Sequence, residues 1–212
     1  MIRNEKGFTL TELIAGIVLA SLLFTGFTIF YIQFLKDMHE IRDFNQLQSD
    51  VISMFEEIRH GTAQKDVNDK VGLIGLMTSS KVIIGPGDNM KMIPIITDIG
   101  GEYWARYRLN SKGQVVLDAA YRTKRINNRV IFPKSDEKID REYKYQITDL
   151  SFTNITPTGS LVKLVKIQVE AQVRYRARGP EVSKADDLRN NIGKINFETV
   201  VYVGNVKDEL EP

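Results

Sequence analysis

The hydrophobic pattern divides the chain into three regimes. From Leu13 to Leu35 no charged residue occurs, and apolar side chains fall on every side of a helical wheel. Farther on the apolar spacing settles to three and four. Ile41, Phe44, Leu47, Val51, Met54, Phe55 and Ile58 form one stripe, while Arg42, Asp43, Gln46, Ser49, Asp50 and Glu57 fill other positions. Gly61 then supplies a stop signal. This spacing predicts one helix from Phe8 to Arg59, about 80 Å long. Its first half is apolar all round and its second half is amphipathic, so the two halves are expected to meet different surroundings.

After Gly61 the period shortens. Gly, Pro, Asn and Asp separate β-type runs at Val82 to Ile84, Ile93 to Thr97, Tyr103 to Leu109, Val115 to Tyr121, Tyr143 to Phe152, Leu161 to Arg176 and Phe197 to Val203. Asn110-Ser111-Lys112-Gly113 reads as a hairpin turn. Tyr103, Ala105, Tyr107 and Leu109 point one way, with Trp104, Arg106 and Arg108 the other. Val169, Ala171, Val173 and Tyr175 likewise oppose Glu170, Gln172, Arg174 and Arg176. These are antiparallel strands with one wet face. A helix followed by strands, rather than alternating units, gives an α+β fold.

Leu13 to Leu35 is 23 residues, about 35 Å as a helix against a hydrocarbon core of about 30 Å. A secretory signal peptide has a shorter apolar region ending in an A-x-A-like site, and no such site occurs here. A plain signal anchor passes both tests. The flanking cations do not orient it, because Arg3 and Lys6 precede the span and Lys36 and Arg42 follow it. Glu12 stands out at the start of the span. A carboxylate at mid-bilayer costs about 2.5 to 3.5 kcal/mol, less near the interface, and is usually paired. Two roles fit it: a functional intramembrane acid, or a headgroup-level residue favoured by the helix macrodipole.

Composition narrows the chemistry. The chain has 212 residues, a net charge of +2 and no cysteine, which excludes a disulfide scaffold and a thiol nucleophile. Both histidines, His39 and His60, fall in the predicted helix. HExxH, GxSxG, P-loop and Rossmann signatures do not occur. Neither enzymatic activity nor a cofactor is expected. Asp136 with Glu137 and Asp186 with Asp187 read as solvated loop charges. Asp136, Asp140, Asp186 and Asp187 could offer oxygens to calcium, but they follow no recognisable loop pattern, so no metal is expected.

Lys6-Gly7-Phe8-Thr9-Leu10-Thr11-Glu12-Leu13-Ile14 resembles the prepilin signal of type IV pilins and type II secretion pseudopilins. That signal has a short basic leader ending in Gly, an aromatic at the new N-terminus and Glu at the fifth mature position. The resemblance implies cleavage between Gly7 and Phe8 by prepilin peptidase, N-methylation of Phe8, and a role for Glu12 in subunit assembly. Cleavage frees an amine that can offset the desolvation of the Glu12 carboxylate. Residues 8 and 12 are one helical turn apart, so the pair could form within one subunit; the resemblance implies a partner amine on the neighbouring subunit. The implied organisation is a leader (1–7), a membrane or filament-core half-helix (8–35), an amphipathic half-helix (36–61) and a β-rich head (62–212). Gly16 and Gly26 in the span are not at GxxxG spacing.

In the head, Tyr103-Trp104-Ala105-Arg106-Tyr107-Arg108-Leu109, Ile147-Thr148-Asp149-Leu150-Ser151-Phe152 and Thr199-Val200-Val201-Tyr202-Val203-Gly204-Asn205 resemble J-type minor pseudopilins and W-type minor pilins. Gly204 replaces the usual Arg of that pattern. Ile29 stands where many major pilins carry Pro, and no C-terminal disulfide can form. The resemblance implies a minor subunit of a type II secretion pseudopilus or type IV pilus, near the filament tip, where it initiates assembly. Its partners would be prepilin peptidase, other minor subunits, the major subunit and the bacterial inner membrane, with the head on the extracytoplasmic side. Two alternatives stand beside it. One is a signal-anchored protein that is never processed. The other is a head that binds nucleic acid or another ligand. Trp104, Arg106 and Arg108 would combine with Arg122, Lys124, Arg125 and Arg129 around a turn, and Arg174, Arg176 and Arg178 line another strand. A solvated charged face explains the same residues.

Overall fold

The structure, a computed structural model, describes residues 9–61, 63–66, 69–72, 74–85, 89–94, 103–121, 124–139, 142–157, 162–175 and 192–204. It consists of one long N-terminal helix, apolar in its first part, and a head of antiparallel β-sheets on which the second part of the helix packs. The helix, α1, spans Leu10–His60. Gly61 ends it with φ 75°, donating its N–H to the Glu57 carbonyl at 2.8 Å, the left-handed cap that glycine adopts without strain. The chain divides into two compact units, residues 1–43 and 44–212, and α1 runs through both.

Within the first unit every residue from Thr9 to His39 is exposed. In the second, α1 buries Leu47, Val51, Met54 and Ile58 completely, at successive spacings of four, three and four. Phe44 and Phe55 flank this stripe, half-buried. Ile41, expected on it, is 55% exposed and belongs to the first unit. Asp50, expected among the polar fillers, is buried. Its carboxylate accepts Gln46 Nε2 at 2.8 Å and the Lys134 backbone N–H at 3.3 Å, while Lys134 Nζ reaches Ser53 Oγ. A buried carboxylate is tolerated when hydrogen-bonded, and here it pins α1 to the chain beyond the first sheet. Glu57 makes a second tie, pairing with Arg129 at 3.5 Å while its carbonyl accepts the Tyr107 hydroxyl at 3.3 Å.

Twelve strands follow among the described residues. β1 (Ala63–Asp66) and β2 (Asp69–Gly72) form a hairpin. After a 3-10 turn at Leu76–Thr78 comes a five-stranded antiparallel meander: β3 (Ser79–Ile84), β4 (Asn89–Pro94), β5 (Tyr103–Leu109), β6 (Val115–Tyr121) and β7 (Lys124–Phe132). β8 (Lys138–Ile139) and β9 (Glu142–Tyr143) make a short hairpin. β10 (Tyr145–Asn154), β11 (Leu164–Arg174) and β12 (Ile192–Tyr202) form a three-stranded antiparallel sheet. The β5–β6 hairpin turns at Asn110, whose Oδ1 accepts the N–H groups of Lys112 and Gln114 at 2.9 and 3.0 Å, with Gly113 at φ 70°. The Gly113 carbonyl accepts the Ile147 N–H at 2.8 Å, joining this turn to β10.

Four departures from the sequence pattern have physical causes. Arg122, Lys124, Arg125 and Arg129 were expected around a turn, but Lys124–Phe132 is a strand. Its register with β6 shifts between Leu117 and Ala119, and Asn128 takes φ 55°, a bulge that interrupts the alternation by which strands are recognised. β4 begins at Asn89 rather than Ile93, because Lys91 lies on the outer face between buried Met90 and Met92. β12 begins at Ile192 rather than Phe197, its first half diluted by Gly193, Lys194 and Asn196. On β11, Gln172 was expected on the wet face but is buried, its Nε2 donating to Gln146 Oε1 at 2.8 Å directly across the ladder.

Candidate functional site

Of the N-terminal site, Gly7 and Phe8 lie outside the described residues; the structure begins to define it at Thr9. The Thr9 N–H and hydroxyl both donate to Glu12 Oε2, at 2.9 and 2.8 Å, and the Glu12 N–H donates to Thr9 Oγ1 at 3.3 Å. This is a capping box, in which the N-cap hydroxyl and the carboxylate three residues later satisfy each other's orphan N–H groups. The Thr-x-x-Glu spacing carries that signal in the sequence itself, beside the macrodipole role expected of Glu12. Among the described residues Glu12 Oε1 accepts no hydrogen bond.

Behind Glu12 the helix shows its apolar side chains on all sides. Leu10, Leu23, Phe24, Phe27 and Phe30 are each about two-thirds or more exposed. A continuous apolar surface of this extent is not stable in water and requires lipid or other apolar helices around it. This is the one described helix long and apolar enough to cross a membrane. Three hydroxyls within it are internally satisfied: Ser21 Oγ, Thr25 Oγ1 and Thr28 Oγ1 donate to the carbonyls of Val18, Ser21 and Phe24, each at 2.8 Å.

The second candidate is the outer face of the five-stranded sheet. β5 puts Trp104, Arg106 and Arg108 on this face as expected, and the β4 register adds Lys91 opposite Arg106. Lys91 Nζ lies 4.8 Å and the Arg106 guanidinium 5.9 Å from the centre of the Trp104 ring. Asp118 on β6 lies beneath. It accepts Arg106 Nη2 at 2.8 Å, Arg108 Nε at 2.9 Å and the Asn128 N–H at 2.8 Å. Burial pushes its carboxyl up, but the Asn128 N–H and the Arg108 and Arg106 guanidiniums outweigh burial and hold it below the usual carboxylate range. Arg108 also reaches Asn128 Oδ1, so the bulge residue closes the network.

Arg125 joins this face in register with Ala120, itself opposite Trp104. Of the other expected cations, Arg129 turns to Glu57 of α1 and Arg174 pairs with Glu142. Arg122, Arg176 and Arg178 lie outside the described residues, as does the Lys124 side chain. Among the described residues, Lys91, Arg106, Arg108 and Arg125 share this face with Asp118, with cations already over the indole. The arrangement suits carboxylate or phosphate recognition better than stacking. Of the four aspartates that could offer oxygens to calcium, Asp136 is exposed, beside a Glu137 paired with Lys144 at 3.1 Å; Asp140, Asp186 and Asp187 are outside the described residues.

Residues 2–28 match the family model described as the prokaryotic N-terminal methylation motif. A solved type IV-like pilin from Thermus thermophilus is similar to this chain at 12% identity, with a TM-score of 0.42, over 77% of this chain and 97% of its own. No curated protein matches the chain.

Proposed function

We propose that the protein is a type IV pilin-like structural subunit that is cut between Gly7 and Phe8 by prepilin peptidase, methylated on Phe8 and built into a membrane-rooted filament. The observation that carries this reading is the methylation motif over residues 2–28, which takes in the start of a helix whose apolar side chains are exposed on all sides as far as Leu35. A signal anchor would need the helix but not the motif. The Glu12 carboxylate fits the assembly role: Thr9 engages only Oε2, so Oε1 remains for an α-amine. Pairing that carboxylate with a cation offsets part of its desolvation when the helix enters lipid or a helical core.

Within that reading the chain serves as a minor pseudopilin or minor pilin, near the tip of a type II secretion pseudopilus or type IV pilus and rooted in the inner membrane. Support for the minor role is the absence of cysteine and of Pro at position 29. The test is N-terminal mass spectrometry of the protein from its native membrane. The expected species begins at N-methylated Phe8; a chain retaining Met1 overturns the proposal.

A nucleic-acid-binding head is the second reading, and the cationic outer face favours it. Binding would weaken steeply with salt, because phosphate contacts release counterions. Salt-insensitive or absent binding of single-stranded DNA by the full-length protein overturns it.

A further inference from the structure

The cations on the outer face of the five-stranded sheet do not follow a single strand. Lys91 stands opposite Arg106 in the β4–β5 ladder, and Lys81 lies on the same face of β3, two residues before the Ile83 that pairs with Lys91. Arg108 follows on β5, and Arg125 on β7 is in register with Ala120, itself opposite Trp104. Lys81 and Arg125 are exposed, and Lys91 and Arg106 partly so. Adjacent strands lie about 4.8 Å apart, so from β3 to β7 this positive field is about 19 Å wide.

Trp104 decides what such a field can hold. Proteins that grip a single strand stack successive bases on open aromatic faces, along a groove that tracks one backbone. Here Lys91 Nζ sits 4.8 Å and the Arg106 guanidinium 5.9 Å from the centre of the indole ring. The ring is a support for two cations, and a base would have to displace them. Asp118 fixes the guanidiniums from below, accepting Arg106 Nη2 at 2.8 Å and Arg108 Nε at 2.9 Å. Cations ordered before the ligand arrives lose little entropy on binding. Their contacts to phosphate orient a nucleic acid and carry no sequence information. The width of the field exceeds the grooves of about 6 and 12 Å that separate the two phosphate rows of a duplex. Both rows are therefore within its reach, and a single backbone would leave most of it unused.

We propose that this face binds the phosphate backbone of double-stranded nucleic acid without reading its bases. Lys81, Lys91 and Arg106 meet phosphates, and Trp104 holds the latter two in place. Binding of this kind rests on the nucleic-acid reading above and narrows it to the duplex.

The test uses the full-length protein in neutral detergent micelles, a short blunt duplex of mixed sequence and an equally long thymidine strand. Both should bind, the duplex more tightly. Lys81→Gln and Lys91→Gln should each reduce the logarithmic salt slope for the duplex by about 0.9. Trp104 is the protein's single tryptophan, so its fluorescence reports on this face alone. The cations beside the ring should make iodide quench it about twofold better than caesium. Bound duplex should abolish that difference without quenching the ring itself. Trp104→Leu should change duplex affinity by less than threefold, against the loss of about fivefold or more that follows removal of a stacking platform. Tighter binding of the thymidine strand with quenched Trp104 emission, or a fivefold loss in Trp104→Leu, overturns the duplex assignment and leaves the nucleic-acid reading standing. Binding of neither probe overturns both. Polyglutamate that displaces the duplex at equal charge concentration overturns the choice of phosphate in favour of a carboxylate-bearing partner.

Discussion

Replacing Asp118 by Asn tests whether the outer face of the five-stranded sheet is held by a buried charge. The substitution keeps shape and removes one negative charge. It leaves the Arg106 and Arg108 guanidiniums, 2.8 and 2.9 Å from the carboxylate, facing a neutral amide, and weakens the bond from the Asn128 N–H. Charge-assisted hydrogen bonds contribute about 1.5 to 3 kcal/mol each. The Arg106 side chain is 43% exposed, so water recovers part of that loss, and the net cost is about 2 to 3 kcal/mol. For a head of this size the thermal midpoint should fall by about 5 to 10 °C.

The pH dependence supplies an internal check. Unfolded aspartate titrates near about 3.9, and the folded carboxyl lies lower. The contribution is therefore fully present above the unfolded value and is lost as pH falls through the folded one. The gap between wild type and Asp118→Asn should stay constant above about pH 5 and close below about pH 4. The assay is urea unfolding of both proteins across that range. An unchanged midpoint at neutral pH, or a gap that persists in acid, would refute the account. The variant also removes an anion from the face, so single-stranded DNA affinity should rise if that face binds phosphate, and stay absent otherwise.

Thr9→Val and Glu12→Ala separate capping from assembly: both remove the capping box, but only Glu12→Ala should block filament incorporation, with cleavage at Gly7 intact in both. Equal behaviour of the two variants in a filament co-sedimentation assay would leave Glu12 as a cap alone. Gly113→Ala places a Cβ 3.0 Å from Gln146 Cβ and 3.1 Å from the Ile147 carbonyl at a φ of 70°, and should cost about 1 to 2 kcal/mol or more in urea unfolding. Asp50→Ala strips Gln46 and Lys134 of their common acceptor and should cost about 1 to 3 kcal/mol, with faster amide exchange at Lys134.

The parts of the fold legible in the sequence are those decided locally. α1 was expected to end at Arg59 and ends at His60, because a glycine cap and a four-three-four stripe are contained in the segment itself. β5 carries uninterrupted alternation and β6 a nearly continuous apolar run, and both were read to the residue. The Thr9–Glu12 box is equally local, since Thr-x-x-Glu before an apolar run carries it. What could not be read is what register decides. Nothing near Asp118 in sequence says that it neutralises Arg106 and Arg108, twelve and ten residues away. Nor does the helical wheel reveal that Asp50 meets Lys134 across 84 positions. Regular β5–β6 pairing creates the first contact, and the bulge at Asn128 adds a backbone N–H to it; bulges leave no periodic trace.

Gly204 shows how structure can convert a departure from a pattern into a requirement. In the motif this region resembles, the position carries Arg; here a Cβ would sit 2.3 Å from the Met77 carbonyl oxygen. Any side chain would therefore displace the 3-10 turn at Leu76–Thr78. That turn is fixed on its other side, since Gly75 lies against the end of α1, where a Cβ would come within 2.3 Å of the Gly61 nitrogen. Two glycines thus let the chain after β12, the turn and the helix terminus close on one another at backbone distance. Gly204→Ala and Gly75→Ala disturb opposite sides of one turn, so their destabilisations should be less than additive. Strict additivity in a double-mutant cycle would mean that the two contacts are independent, and the shared-turn argument would fail.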